Sequence, residues 1–199
     1  MKLISFEGSD YSGKTTISKL IAEKTSKENQ NVVYNSGKLY LDDEDEFMRE
    51  ISKHCNELQR EAIYTIMFFL DKKYIRDSDQ RIILQDRYWM SVVAYGRFLN
   101  GEKSLHDGID LSEWMIKPDA VIYLQCSLEE KVHRSKVRNR RSVLDKLFLT
   151  QPELVNKLEL EIISSLKKFE KVLSIDTTNI PISIVADRVE EYLKNERLL

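Results

Sequence analysis

Short apolar runs alternate with longer segments of helical periodicity along this chain. Five of the runs are rich in β-branched residues and have strand length: residues 3–6, 31–34, 81–85, 120–124 and 172–175. Several, such as the AVIYL of 120–124, are apolar at nearly every position, which is typical of a parallel strand covered on both faces. The alternation predicts a doubly wound α/β fold: a five-stranded parallel sheet with helices on both faces and ligands at the carboxyl ends of the strands.

Two of the intervening segments predict helices by pattern and length. One is entered through TQPE, residues 150–153, and places five apolar residues on one face: Val155, Leu158, Ile162, Leu166 and Phe169. The other, AIYTIMFFL at 62–70, is ambiguous alone, but its polar flanks extend it to helix length and predict a largely buried helix. No Pro/Gly/Ser-rich linker divides the chain, so a single domain over residues 1–199 is predicted.

The segment after the first predicted strand has the spacing of a phosphate-binding loop. GSDYSGKT, residues 8–15, fits G-x-x-x-x-G-K-[ST] at every fixed position, between a strand and a helix. Its glycines allow the backbone to aim amides at phosphate oxygens, and the helix N-terminus adds its positive end. Lys14 is predicted to reach the outer phosphates, and Thr15 to offer its hydroxyl to Mg²⁺. The predicted ATP-phosphate contacts are Gly8, Ser12, Gly13, Lys14, Thr15 and Thr16.

Asp86 and Arg87 end the third predicted strand, which places both at the ligand edge of the sheet. A carboxylate at this edge can position Mg²⁺ or accept a proton from an attacking hydroxyl. A guanidinium there can hold a second phosphate with two parallel hydrogen bonds. The alternative is an ordinary pair that caps the next helix.

A basic segment, residues 131–141, contains no acidic residue and has Arg134, Arg138 and Arg141 at helical spacing. In a chain with a phosphate loop this predicts a short lid, approximately residues 134–150, that closes over the triphosphate and stabilises moving charge. A solvated helix and an RNA-binding patch are alternatives, although no aromatic residue stands among the basic ones for base stacking. The acidic run at 42–46 is interpreted as a solvated helix start rather than a metal site.

Composition narrows the class of protein. The 199 residues are 42% hydrophobic and 32% charged, and the formal charge of −2 argues against a dedicated nucleic-acid binder. Cys55 and Cys126 make no disulfide framework, and no apolar stretch has the length of a signal-peptide core or a membrane span. We therefore expect a protein of the reducing cytoplasm without nucleic-acid or membrane partners.

Three segments together resemble the thymidylate kinase family of P-loop nucleoside monophosphate kinases: ISFEGSDYSGKTT, DRYWMSVVAYG and PDAVIYLQCSLEEKVHRSKVRNR. The resemblance covers nearly the whole chain and implies ATP, Mg²⁺ and direct in-line transfer to a monophosphate, with dTMP as the default acceptor. It also implies that Asp10 meets the acceptor's sugar, that Asp86 orders the metal shell and that Arg87 holds the acceptor phosphate. Family members are commonly dimers, so a homodimer is one expectation.

The resemblance also assigns the catalytic arginine to the lid. Arg138, Arg140 and Arg141 resemble lid residues, and Tyr11 occupies the loop position where some family members carry an arginine. The lid is therefore expected to supply the catalytic charge, with Arg138 and Arg141 as the candidates on one helical face.

The acceptor side departs from the family pattern. The second strand runs into NSGKLY, residues 35–40, without the Arg-Glu-Pro-Gly-Gly signature that helps shape the acceptor site. The family's phenylalanine, and its base-reading arginine four residues later, match Phe68 and Lys72, and lysine is a single flexible donor where a fork is expected. Tyr95 is followed by Gly96, where the family often has glutamine, a candidate base contact.

Three functions are compatible with these residues. The first is ATP-dependent phosphorylation of a nucleoside monophosphate, dTMP by default. The second keeps the chemistry but changes the acceptor to another nucleotide, a nucleoside or a small molecule, because losing base hydrogen bonds relaxes or redirects specificity. Its candidate readers are Lys38, Tyr40, Lys72 and Tyr95. The third is an ATP-binding switch without useful turnover.

Overall fold

The structure, a computed structural model, describes residues 1–27, 31–36, 50–51, 53–77, 81–137 and 151–199, with the backbone alone for 72–77 and 152. Five strands form one parallel sheet in the order β2-β3-β1-β4-β5. Their bounds are β1 Lys2–Glu7, β2 Val32–Asn35, β3 Ile82–Asp86, β4 Ala120–Gln125 and β5 Val172–Asp176. Each strand begins and ends within one residue of its predicted bounds, and the predicted fold class is confirmed.

The helices that position the site are α1 Lys14–Ser26, α2 Glu57–Asp77, α3 Trp89–Asn100, α4 Leu128–Val137, α5 Pro152–Leu166 and α6 Ile182–Asn195. One face of the sheet packs against apolar residues of α2, α3 and α5, and the opposite face packs against α1 and α6. Successive residues of β1 serve the two faces, since Leu3 lies in the first core and Ile4 in the second, and both are fully buried. Coverage on both faces explains the continuous apolar runs in the sequence.

The five apolar residues predicted to share a face of α5 are all buried in the first core. The helix ends at Leu166, yet Phe169 keeps its place in that core because its backbone N–H donates to the Leu166 carbonyl at 3.0 Å. The turn after the helix thus extends the apolar face beyond the last helical residue.

The prediction that residues 62–70 form a helix is confirmed, but the prediction that this helix is largely buried is wrong. Within α2, Ile66 is 60% exposed and Leu70 48% exposed, whereas Glu61 and Phe68 are buried. Apolar side chains lie on all sides of this helix, but only one side packs against α3 and the sheet. An outward apolar stripe therefore remains.

The sheet register brings two sequence motifs to one edge. Phe6 of β1 pairs with Asp86 of β3, so the phosphate loop and the Asp86-Arg87 pair leave neighbouring strands at the same level. Of the predicted lid, the structure describes only residues 134–137, which belong to the end of α4. Residues 138–150 lie outside the described residues, and so do residues 42–46, Lys38 and Tyr40. Within the described part of the chain, no helix has the length and apolar character needed to cross a membrane.

Candidate active site

The phosphate loop turns between β1 and α1 through two glycines with positive φ. Gly8 has φ 140°, and a Cβ at this position would lie 2.1 Å from the carbonyl oxygen of Leu124 in β4. Gly13 has φ 100° and directly precedes α1. Glycine is required at both positions, because L side chains rarely adopt these conformations and β4 leaves no room at the first.

Lys14, the first residue of α1, is folded into the loop. Its Nζ donates to the backbone carbonyl of Ser9 at 2.6 Å and to Ser12 Oγ at 3.4 Å, and the residue is 5% exposed. Burial, reinforced by the Arg87 charge, lowers the pKa of the Lys14 ammonium to about 8. Phosphate oxygens brought to the loop would offer this ammonium a stronger partner than the neutral oxygens that hold it here.

Thr15 and Asp86 form an oxygen-rich pair at the start of α1. The Thr15 hydroxyl donates to Asp86 Oδ2, and the Tyr34 hydroxyl lies 3.4 Å from the same oxygen. The other carboxylate oxygen, Oδ1, is buried and finds no hydrogen-bond partner among the residues that the structure describes. Hydroxyl and carboxylate oxygens are the ligands that Mg²⁺ prefers, so the unpartnered oxygen fits a metal site.

Tyr34 is a site residue that the sequence analysis missed. It lies on β2, the strand next to β3, and burial together with the Asp86 charge raises the pKa of its phenol to about 12. Lys19 Nζ lies 5.2 Å from the centre of its ring. The sequence did offer one signal for Tyr34, because this residue lies at the carboxyl end of a predicted strand, where ligands bind in such folds.

Arg87 links the loop to the acceptor side. Its Nη2 lies 2.5 Å from Asp10 Oδ1 and donates to the Tyr95 hydroxyl at 3.1 Å, while Nη1 donates to the Gly8 carbonyl at 3.2 Å. Burial opposes ionisation of Asp10, but the Arg87 and Lys14 charges outweigh it and lower the pKa of that carboxyl. The structure therefore brings five predicted site residues into one cluster: Gly8, Asp10, Lys14, Arg87 and Tyr95.

The backbone of Arg87 has φ 65°, a left-handed conformation that non-glycine residues seldom adopt. Its N–H donates to the Phe6 carbonyl at 3.0 Å, and its carbonyl accepts from Gln85 Nε2 at 2.7 Å. Gln85 is in turn held by Asn35 Nδ2 at 2.6 Å. These bonds hold Arg87 in the strained conformation, with its side chain on the loop.

Glu7 is a second site residue without a role in the sequence analysis. It is linked to Arg87 through Ser91. Its fully buried carboxylate accepts from Ser5 Oγ at 2.7 Å, from Ser91 Oγ at 2.5 Å and from the Tyr88 N–H at 2.9 Å. Burial raises the pKa of Glu7, and these hydrogen bonds offset part of the rise. Ser91 Oγ also accepts from Arg87 Nη1 at 3.3 Å, so the carboxylate holds Arg87 through Ser91.

A third missed residue, Glu159 on α5, ties the loop to two other elements. Its Oε1 accepts from Ser9 Oγ at 2.5 Å and from Lys131 Nζ at 2.6 Å, and its Oε2 accepts from the Tyr123 hydroxyl. Only the apolar face of α5 leaves a periodic pattern in the sequence, so a single polar position such as Glu159 gives no signal there. Lys131, from the basic segment, is buried in this ion pair.

We expect Glu159→Ala to raise the KM for ATP about tenfold, since a charge-assisted hydrogen bond of ~1.5 kcal/mol to the loop is lost. Glu159→Gln, which keeps one oxygen acceptor, replaces the other with an amide NH2 group and removes the charge, should have a smaller effect. Initial rates over a range of ATP concentrations measure the change. Glu161→Ala, two residues along the same helix, is the matched control, and an equal KM in the two alanine variants would contradict a loop-positioning role for Glu159.

Arg134 lies beside the loop, one turn before α4 ends. Its Nη1 donates to the Tyr11 carbonyl at 2.9 Å, and its Nη2 donates to the Thr177 carbonyl at 2.8 Å. Its Nε pairs with Glu130 at 2.8 Å, four residues earlier on the helix. The start of the basic segment is therefore a helix anchored on the phosphate loop.

Other predicted site residues lie apart from this cluster or outside the description. Phe68 is 2% exposed and packs in the core, with its ring edge-on to Tyr88 at a centroid distance of 5.1 Å. Its stacking on an acceptor ring stays a prediction. Lys72 is described by its backbone alone, within α2, and Arg138 and Arg141 are outside the described residues. Thr16 is exposed on the first turn of α1.

Comparison with known proteins tests the family prediction. The family model for "Thymidylate kinase" matches residues 6–189. A probable thymidylate kinase of Sulfurisphaera tokodaii is 27% identical over 196 residues, which cover 92% of this chain and 97% of that protein. A probable thymidylate kinase of Sulfolobus acidocaldarius is 33% identical over 142 residues, which cover 68% of this chain and 70% of that protein.

The fold is shared with a solved structure, that of thymidylate kinase from Candida albicans. The two chains superpose with a TM-score of 0.75 at 20% identity, over 99% of this chain and 92% of that one. The prediction from the three motifs is confirmed, since the family match begins in β1 and ends in α6. This chain belongs to the thymidylate kinase family.

Proposed function

We propose that this protein transfers the γ-phosphoryl group of ATP to a nucleoside monophosphate, with dTMP as the default acceptor. One observation carries the proposal: Arg87 pairs with Asp10 at 2.5 Å, and Lys14, held on the loop carbonyl of Ser9 at 2.6 Å, is close enough for its charge to lower the pKa of the same carboxyl. One cation belongs to the phosphate loop and the other to the carboxyl end of β3. Two phosphorylated molecules can therefore meet within a single charged cluster, which is the arrangement that direct transfer between phosphates requires.

The donor half holds the triphosphate with backbone amides and Lys14. In the proposed mechanism the amides of residues 8–15 and the N-terminus of α1 bind the outer phosphates, and Lys14 leaves the Ser9 carbonyl for phosphate oxygens. Mg²⁺, when bound, would neutralise phosphate charge, held by Thr15 and by Asp86, whose unpartnered Oδ1 supports the assignment. The helix dipole and Lys14 both stabilise negative charge that develops on the transferred group.

The acceptor half holds the second phosphate with Arg87. The guanidinium contacts both Asp10 and the Tyr95 hydroxyl, and its Cζ lies over the Tyr95 ring, 5.0 Å from the ring centre. A phosphate dianion carries more charge than a carboxylate and accepts a guanidinium fork with two bonds. Asp10, released from Arg87, is then placed to accept from a sugar hydroxyl of the acceptor.

We further propose that one domain, residues 1–199, carries the whole reaction and that residues 134–150 form its lid. Arg134 supports this, because its hydrogen bond to the loop carbonyl of Tyr11 holds α4 against the phosphate loop. The residues that follow on the chain include Arg138 and Arg141, the proposed sources of catalytic positive charge.

The proposed partners are small nucleotides rather than nucleic acid, and the proposed location is the reducing cytoplasm. The formal charge of −2 supports the first statement, because nucleic-acid binders carry a strong basic excess. The two cysteines support the second, since Cys55 and Cys126 are both unpaired.

The test is steady-state ADP release with ATP and Mg²⁺ against dTMP, dUMP, the other nucleoside monophosphates and several nucleosides. We expect transfer to dTMP at about 1–100 per second, the range usual for kinases. Activity on another acceptor with silence on dTMP would replace the default acceptor. Silence across the panel, with ATP binding intact by calorimetry, would overturn the kinase proposal in favour of an ATP-binding switch.

We also propose a homodimer that buries the outward stripe of α2. Ile66 and Leu70, one helical turn apart, are both exposed, and large apolar neighbours on a surface mark association sites. The expected result is a dimer mass for the unchanged chain in light scattering and a monomer mass for Ile66→Asp. Ile182→Asp, at a similarly exposed position on α6, is the control, and a monomeric unchanged chain would contradict the dimer.

A further inference from the structure

A buried carboxylate lies between α2 and α3, outside the charged cluster. Glu61 is 3% exposed, and its oxygens accept from Asn100 Nδ2 at 2.8 Å and from Ser104 Oγ at 2.5 Å. His106 Nδ1 lies 2.7 Å from Glu61 Oε1, and His106 Nε2 lies 2.8 Å from the Thr65 hydroxyl. A buried carboxylate is tolerated only with such partners, so this part of the chain is organised around Glu61.

Glu61 also explains the glycine at position 96. A Cβ on Gly96 would lie 2.3 Å from Glu61 Oε1 and 2.5 Å from its Cδ, distances that real Cβ atoms do not reach. Gly96 is not among the glycines with positive φ, so its backbone would accept any L residue. The carboxylate, and not the backbone, excludes a side chain from position 96.

Position 96 adjoins the acceptor half of the site. Tyr95, the preceding residue, bonds Arg87 through its hydroxyl, and Phe68 lies two turns beyond Glu61 on α2. Glu61 thus lies where any side chain at position 96 would leave α3.

We propose that Glu61 is a positioning residue for the acceptor pocket, acting through Gly96. It holds α2 against α3 at a position without a side chain, which sets the spacing of Tyr95 and Phe68. The acceptor class is a nucleoside monophosphate. The inference rests on the proposed function, because it assumes an acceptor phosphate at Arg87.

The experiment places a methyl group at position 96 with Gly96→Ala, and then shortens the side chain that this methyl group meets with Glu61→Asp. Gly96→Ala should raise the KM for the best monophosphate acceptor about tenfold and leave the KM for ATP within about twofold, since the clash displaces α2 from α3 on the acceptor side. Glu61→Asp, whose carboxylate is one carbon shorter, should restore the acceptor KM of the Gly96→Ala chain to within about threefold. In that case the effects of the two substitutions on the acceptor KM are not additive, which is typical of residues in contact.

Gly108→Ala is the matched control. Gly108 has φ 69°, so alanine strains the backbone, but its Cβ would meet nothing within 4 Å. This variant should lower the melting temperature without changing the acceptor KM, which separates lost stability from lost acceptor binding.

The outcomes distinguish the two proposals. If the unchanged chain phosphorylates no monophosphate, the proposed function is wrong, and this inference, which assumes a monophosphate acceptor, is wrong as well. If a monophosphate is a substrate, the inference alone is overturned by an unchanged acceptor KM in Gly96→Ala, by an equal rise in the two KM values, or by failure of Glu61→Asp to rescue.

Discussion

Replacing Lys14 with alanine should lower turnover by about 10²–10³-fold, the usual effect of removing one donor aimed at developing charge. The Lys14 ammonium lies inside the loop, held by the Ser9 carbonyl at 2.6 Å, and a triphosphate bound there would come within its reach. Alanine removes that charge from the place where negative charge moves during transfer. The fold should persist, because alanine is favourable in a helix and the bonds lost are those to Ser9 and Ser12.

The measurement is ADP release at saturating ATP and acceptor, with circular dichroism and a melting curve for each variant. Lys24→Ala is the matched control, because Lys24 lies in the last turn of the same helix, away from the loop, and pairs with the exposed Asp187 and the buried Glu190. Turnover of Lys14→Ala within threefold of the Lys24→Ala value would contradict a catalytic role for the loop lysine.

The strands were predictable because burial on both faces leaves a continuous apolar signature in the chain. The loop was predictable because its function depends on local spacing, two glycines and a lysine within eight residues. Asp86 and Arg87 followed from the rule that ligands bind at the carboxyl ends of parallel strands, once the third strand was known. Each of these inferences uses neighbours along the chain.

The missed residues act across long sequence separations. Glu159 bonds Ser9 from 150 positions away, and Ser91 bonds Glu7 from 84 positions away. Neither pairing leaves a local pattern, because one polar residue on a helix is equally consistent with a solvated surface. Gly96 is a further example of a contact that local sequence does not reveal. The sequence shows only that glycine stands at this position, whereas the group that excludes a side chain there is the Glu61 carboxylate on another helix.

The error at α2 has a different origin. Residues 62–70 are apolar on every side of the helix, and such a pattern usually indicates burial all round. Composition cannot say which side a neighbouring helix covers, and here Phe68 faces the core while Ile66 is exposed. The exposed side is where the proposed dimer would form.

Replacing Arg87 with alanine should raise the acceptor KM about 10²-fold, because two charge-assisted hydrogen bonds to the acceptor phosphate contribute ~3 kcal/mol. Alanine retains a Cβ, so the cost of φ 65° at this position stays as it is and the backbone bonds to Phe6 and Gln85 are kept. The KM for ATP should change far less, because the donor phosphates are held by the loop. The effect is therefore expected on one substrate.

Arg87→Lys separates charge from geometry. Lysine keeps a positive charge beside Asp10 but cannot form the guanidinium fork, so its acceptor KM should lie between those of the unchanged chain and Arg87→Ala. Initial rates with each substrate varied at saturation of the other give both KM values for every variant. An equal rise in the two KM values would show that Arg87 stabilises the loop as a whole, through its bond to the Gly8 carbonyl, and would remove it from the acceptor phosphate.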